Sequence, residues 1–466
     1  MGVLGCSTSA PPLVHFAPKT ARIPLKRPES KEEYSESLRK LVQDNCPSLF
    51  TPFEPKWWLN NGHIQTTYSV FADISQVDSV WYRRQNLKLV DGGTLGLDFA
   101  PIDDAALSDD TPIVVILHGL TGGSYEPYIK SILTHVIKPI DKGGLGYRAV
   151  IPHSRGCGSQ LFSDSCHRSN DVWSSGGGVP ITSTKFYSAG GTDDFRQALI
   201  YISNRYPRAK LLGLGFSLGS NIMTRYIAQE GEKCRLSSAC VLANPWDLAA
   251  NSDILSGTFI GRNVYNNALG TNLMNVAKQH YKALMADPSL PIAKALEPLM
   301  SVSQMTLTNF DKVFLSQVGG PPPKFPYATV NEYYDAMSSH ECIGEIRIPY
   351  LAINSADDPV VQYVPMDGAG NGYAVMVLTS GGGHLGWFND GTGKDRWTTK
   401  PVLEWLALMG REVLAKSGSE RGHKVVLGTD GFLRNEGGDE WLGCKECEGG
   451  GLINGNAGVE GLRKGL

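Results

Sequence analysis

Ser217, Asp358 and His384 lie far apart in this sequence, and their types can cooperate in nucleophilic catalysis. A serine hydroxyl is a weak nucleophile until a base takes its proton. The base in turn needs an acid to hold its tautomer and stabilise its charged form. Ser217 lies in Gly215-Phe216-Ser217-Leu218-Gly219, between an apolar run at 209–214 and a helical pattern at 221–228. Strand, tight glycine turn and helix form a nucleophile elbow, which needs small residues on both sides of the serine. His384 sits in Gly381-Gly382-Gly383-His384-Leu385-Gly386, past the last apolar run, and is read as the general base. Asp358 follows another apolar run in Asp357-Asp358-Pro359 and is read as the acid. Asp357 is its neighbouring alternative, and Asp247 a second one after the run at 239–243. His63 is an alternative base, with a structural role under the active-site loops as the favoured reading.

A developing oxyanion needs backbone N–H donors. His118-Gly119-Leu120-Thr121-Gly122-Gly123-Ser124 follows the apolar run 112–117, and its glycines leave the backbone uncovered. The Leu120 N–H and the Leu218 N–H are the expected pair. Ser154-Arg155-Gly156-Cys157-Gly158 follows the run 147–152 and is read as a brace rather than chemistry.

These loops need strands to hold them. Continuous apolar runs at 112–117, 147–152, 209–214, 239–243, 349–354 and 374–379 predict strands buried on both faces, as in a mostly parallel sheet. Alternation over 79–100 around Gly92-Gly93 predicts a hairpin, so the sheet opens antiparallel. Residues 125–137 predict a helix, and Asp193 or Asp194 the N-cap of the helix before the elbow strand. Residues 159–184 predict a long loop. Residues 250–340 lack strand patterning and predict a helical lid whose Met, Leu, Phe and Tyr suit an acyl chain. An amphipathic helix over 398–414 closes the fold. The fold class is α/β, with a mostly parallel central sheet flanked by helices.

The 466 residues are 41% hydrophobic with a formal charge of −3. That supports one large domain and excludes a nucleic-acid partner, which a basic stripe would signal. No apolar run reaches the roughly 18 residues of a membrane-spanning helix. Nine scattered cysteines predict reduced thiols and an intracellular location, cytoplasmic or peripheral on a membrane or lipid droplet. Gly2 and Cys6 offer two acylation positions beside the reading of an unmodified terminus. Residues 1–31 are expected as a flexible segment, 32–415 as the catalytic domain, and 416–466 as a Gly-rich, partly disordered tail. Cys444 and Cys447 form a lone CxxC, too few ligands for a structural zinc. No metal or cofactor is expected.

Residues of about 50–415 resemble the alpha/beta-hydrolase branch that contains the yeast medium-chain fatty acid ethyl ester synthase/esterases. Membrane-associated hydrolase-domain lipases, a phospholipase among them, share that branch. The motifs are Trp57-Trp58, Gly62-His63-Ile64-Gln65-Thr66, the His118 and Ser154 loops, the Ser217 elbow, Asp357-Asp358-Pro359 and Gly382-Gly383-His384. One departure is Asn61-Gly62, where the family usually has Asn-Pro; it is expected to loosen that turn without touching the triad. The resemblance implies the order Ser217, Asp358, His384, acyl transfer from acyl-CoA to an alcohol, and hydrolysis of the same esters. Partners are then an acyl-CoA or acyl ester and an alcohol or water. A phospholipase, a secondary-metabolite acyltransferase or hydrolase and a non-catalytic binding protein are the competing readings. An H-x-x-x-x-D acyltransferase signature is absent near His384, since five residues separate it from Asp390.

Overall fold

The computed structural model describes residues 10–26, 33–72, 78–157, 178–321 and 323–455. The acylation positions Gly2 and Cys6, most of the expected 159–184 loop, and residues 456–466 lie outside these.

The centre is a 12-stranded sheet. In chain order the strands are β1 (Leu13–Phe16), β2 (Arg22–Lys26), β3 (Glu33–Ser37), β4 (Trp81–Leu89), β5 (Thr94–Ala100), β6 (Ile113–Leu117) and β7 (Arg148–Pro152). There follow β8 (Leu211–Phe216), β9 (Leu236–Leu242), β10 (Tyr350–Ser355), β11 (Ala374–Thr379), β12 (Val425–Leu427), β13 (Leu433–Asn435) and β14 (Cys444–Asn454). The spatial order is β1-β11-β10-β9-β8-β6-β7-β5-β4-β14-β13-β12, and β2 pairs separately with β3. From β11 to β7 all pairings are parallel, and both flanks are antiparallel. The parallel strands β6 to β11 are buried along nearly their whole length, since helices cover both faces. The expected hairpin is β4–β5.

Strand order explains where a site can form. The chain steps from β6 outward to β7, then returns to β8 on the other side of β6. Loops leaving β6 and β8 therefore diverge at their carboxyl ends and open a crevice between them. The His118 loop and Ser217 leave those two strands.

The helices that matter for the site are α1 (Leu38–Asn45), α2 (Gly62–Phe71), α3 (Pro127–Ile137), α4 (Asp193–Arg205), α5 (Leu218–Glu230), α6 (Leu248–Gly257) and α7 (Asn267–Gln279). The lid is helical as expected, from α6 to Val330–Met337. The closing helix is Thr399–Ala407, ending in a wider turn at Leu408–Glu412.

Three expectations change. The N-terminal segment contributes β1, whose pairing with β11 covers a sheet edge. The Gly-rich tail contributes β12, β13 and β14, and β14 extends the sheet at β4. Gly450 serves a close approach there. A Cβ on Gly450 would stand 2.2 Å from the Arg84 carbonyl oxygen, where the register shifts between Cys447 and Gly451. Thr192, not Asp193 or Asp194, is the N-cap of α4. Asp194 is drawn away because Arg155 grips both of its oxygens, at 2.8 and 2.7 Å.

Candidate active site

The site starts from the turn between β8 and α5. Ser217 has φ 49° and ψ −122°, a region that non-glycine residues rarely occupy. Its neighbours have no room for side chains. A Cβ on Gly219 would lie 2.5 Å from the carbonyl oxygens of Leu117 and His118, and one on Gly215 2.9 Å from Ser220 Cα. The Ser217 N–H donates to the Leu242 carbonyl at 2.9 Å, pinning the turn to β9.

His384 Nε2 stands 2.8 Å from Ser217 Oγ. Its Nδ1 stands 2.8 Å from Asp358 Oδ2. The other Asp358 oxygen accepts from the Val360 and Val361 N–H groups at 2.7 and 2.9 Å. These three contacts fix the carboxylate toward the imidazole, and the side chains of Asp358 and His384 are almost fully buried. The structure thus brings Ser217, His384 and Asp358 together. Asp357 turns elsewhere: its Oδ1 accepts from the Gly383 N–H at 2.9 Å and the Ser355 hydroxyl at 2.7 Å. Asp247 is the N-cap of α6, accepting from the Ala250 N–H. His63 is exposed on α2 rather than packed beneath loops, and its Nδ1 lies 2.9 Å from the Tyr265 hydroxyl of the lid.

The His118 loop lies against the serine. A Cβ on Gly119 would stand 3.3 Å from Ser217 Cβ, and the Gly119 N–H donates to the Tyr128 hydroxyl of α3 at 3.0 Å. Leu120 and Leu218 share a cavity wall with Ser217. Burial pushes the His118 imidazole down to about 3, so it is neutral, with Nδ1 on the Gly119 carbonyl at 2.7 Å. Below, burial opposes charge on Asp98, but Arg84 and His153 outweigh it and keep it ionised. Arg84 Nε lies 2.6 Å and His153 Nε2 2.7 Å from its oxygens. With the Arg155–Asp194 pair this makes the loop after β7 a brace.

The residues that hold His384 carry no obvious chemistry. Thr66 Oγ1 accepts from the His384 N–H at 2.8 Å and donates to the Gly62 carbonyl at 2.7 Å. Gln65 donates to the Leu59 and Phe388 carbonyls and accepts from the Phe388 N–H at 2.9 Å. Arg396 Nη1 donates to the Leu385 and Gly386 carbonyls, and complete burial pushes its guanidinium down to about 9. Leu385 and Trp387 both have positive φ, and such strain persists only where many contacts over-determine the loop. Gln65 and Thr66 fall within a motif visible in the sequence; Arg396 had no signal. At Gly62 the turn is closely packed rather than loosened, against Asp357 and not a triad residue. A Cβ there would stand 1.9 Å from the Asp357 carbonyl oxygen, so this position packs directly on the residue preceding the acid.

Above Ser217 lies a cavity of about 710 Å³, part of it open to solvent. Leu248 and Leu255 of α6, Leu269 and Leu273 of α7, and Leu307 and Leu315 further along the lid line it.

A serine on a strand-to-helix turn above a mostly parallel sheet, with an imidazole on its hydroxyl, defines the class of alpha/beta hydrolases. A family model described as the alpha/beta hydrolase fold matches residues 112–386, and the chain belongs to that family. A monoacylglycerol lipase of Saccharomyces cerevisiae is 30% identical over 77% of this chain and 81% of its own length. The medium-chain fatty acid ethyl ester synthase/esterase 2 of the same yeast is 27% identical over 84% of this chain and 93% of its own. Phospholipase ABHD3 of Homo sapiens is 27% identical over 81% and 85%. Among the described residues no helix is long and apolar enough to cross a membrane.

Proposed function

We propose that the protein is a serine esterase and acyltransferase of medium-chain acyl esters. The observation that carries this is the pair of 2.8 Å contacts, Ser217–His384 and His384–Asp358, at a leucine-lined cavity. His384 Nε2 takes the Ser217 proton as Oγ attacks an ester or thioester carbonyl. Asp358 holds the Nδ1–H tautomer and stabilises the imidazolium. The Leu120 and Leu218 N–H groups receive the oxyanion, the second at the N-terminus of α5, where the helix dipole favours negative charge. His384 returns its proton to the leaving alcohol or thiol. The acyl-enzyme then passes to water, giving an acid, or to an alcohol, giving a new ester. Acyl-CoA is the proposed donor for synthesis, by analogy with the yeast synthase/esterase.

The test is a partition experiment with octanoyl-CoA, with and without ethanol, quantifying ethyl ester and free acid, and Ser217→Ala as control. Ester that rises with ethanol and needs Ser217 supports the transferase arm. Free acid alone leaves a hydrolase. Product formation by Ser217→Ala at the wild-type rate sinks the assignment.

A second reading, a lipid esterase working at a membrane surface, is favoured by exposed apolar side chains on α2 and in the lid, the two elements that the His63–Tyr265 contact joins. Phe71 on α2 is 66% exposed and Phe259 in the lid 78%. Activity on phospholipid vesicles against soluble octanoyl esters separates the two readings.

A further inference from the structure

The cavity over Ser217 is mostly apolar; apart from the serine itself and Tyr187, its polar lining is one group of lid residues. Asp311 and Asn251 both line it, 3% and 5% exposed. Asp311 Oδ2 accepts from the Tyr334 hydroxyl at 2.8 Å. Its Oδ1 is buried without a hydrogen-bond partner. Asn251 on α6 accepts from the Gln362 N–H through Oδ1, and its Nδ2 is likewise buried and unpartnered. Tyr334 and Ser252, the residue next to Asn251, line the same cavity.

Buried polar atoms are almost always hydrogen-bonded, so the two lid orphans, beside the likewise unpartnered Tyr187 hydroxyl of the same lining, need an explanation. Nothing in the serine chemistry uses them. No cation pairs with Asp311 among the described residues, and burial pushes its carboxyl up to about 7, with Tyr334 opposing only in part. The group therefore is not half of an ion pair. It pairs an unpartnered carboxyl oxygen with an unpartnered amide N–H₂. A hydroxyl group both donates and accepts, and is the smallest substrate group that satisfies both.

We propose that Asp311 and Asn251 form a polar subsite inside the acyl cavity that receives one aliphatic hydroxyl of the substrate. This rests on Ser217 being the nucleophile, and it narrows the substrate class from acyl esters to hydroxylated ones. The hydroxyl has two possible sources with the same chemistry: a hydroxylated acyl chain, or the free hydroxyl of a polyol ester such as a monoacylglycerol. A site built to hydrogen-bond a hydroxyl discriminates against the analogue lacking it, because its own polar groups are then left unpaired.

The test compares kcat/KM of the full chain on ethyl octanoate, ethyl hydroxyoctanoates and mono-octanoylglycerol. The wild type is expected to favour at least one hydroxylated substrate over ethyl octanoate by about tenfold or more. The favoured arm identifies the source. In Asp311→Leu the ratio of hydroxylated to plain ester collapses toward one. Asn251→Leu, on a different lid element, gives the same collapse and serves if the first variant does not fold. No preference in the wild type, or one untouched by both substitutions, overturns the subsite and leaves the pair holding a buried water. Covalent labelling of Ser217 by a fluorophosphonate is measured in parallel. An enzyme that labels and hydrolyses but shows no preference refutes the subsite alone. A chain in which Ser217 neither labels nor is required for hydrolysis refutes the proposed function, and the subsite with it.

Discussion

Thr66 Oγ1 lies 2.8 Å from the backbone nitrogen of His384, although 318 residues separate them. The hydroxyl passes its own proton to the Gly62 carbonyl, so it acts here as an acceptor whose orientation is fixed. Thr66→Val keeps the shape and removes the acceptor, leaving a buried N–H unpaired. That costs about 1–3 kcal/mol of stability. Because the loop also aims the imidazole, kcat should fall about tenfold or more with KM little changed. Steady-state kinetics and thermal melting check both. A Thr66→Val enzyme with wild-type kcat and Tm refutes the clamp.

Ser217 supplies a different prediction. Its φ of 49° is strain held for function. Ser217→Ala keeps that strain, whereas Ser217→Gly releases it. Both variants should lose at least about 10³-fold in turnover. The glycine variant should nonetheless be the more stable of the two by about 1 kcal/mol, after the entropic cost of glycine. Denaturant melts of the pair decide it, and the reverse order contradicts the strain argument.

Asp311 makes stability depend on pH in a defined direction. Its carboxyl moves from 3.8 in the unfolded chain up to about 7 in the fold, because burial penalises the charged form. Between those values the native state binds more protons than the unfolded state. Stability therefore falls as pH rises from about 4 to about 7, and this contribution is flat above that. The whole loss is at most about 4 kcal/mol. Tyr187, Tyr333 and Tyr334 face the carboxyl, and burial raises all three phenols well above their usual value, so they stay neutral throughout. Urea melts across this range should show a slope that Asp311→Asn removes. An unchanged slope refutes the attribution.

The last strands should matter for folding. Removing residues 416–466 strips β14 from β4 and exposes a long edge with unpaired backbone groups. It also removes partners of Arg235, which bonds to the Gly418 and His423 carbonyls and to Asn435. The truncated chain should melt several degrees lower and aggregate, as seen by light scattering. A truncation that melts like the full chain returns these residues to the status of a tail.

The parts of the site that could be read without a structure share one property. Ser217, His384 and Asp358 each stand just past an apolar run, in loops whose glycines or proline announce a turn. Local patterning carries that information, because a strand buried on both faces must be continuously apolar and its end must be marked. The same locality explains the correct reading of the β4–β5 hairpin and of the helical lid. What the tertiary structure alone decided depends on partners distant in sequence. The role of Asp357 is one such case: the Gly383 N–H and the Ser355 hydroxyl hold its carboxylate, so it braces the His384 loop. The glycine-rich stretch around Gly450 is a strand because β4 supplies both its hydrogen bonds and the closeness that only glycine tolerates. The burial of Asp311, ordinary in composition, follows from the lid elements that close over it. Pairing, close approach and burial belong to two segments at once, and a single segment's composition does not encode them.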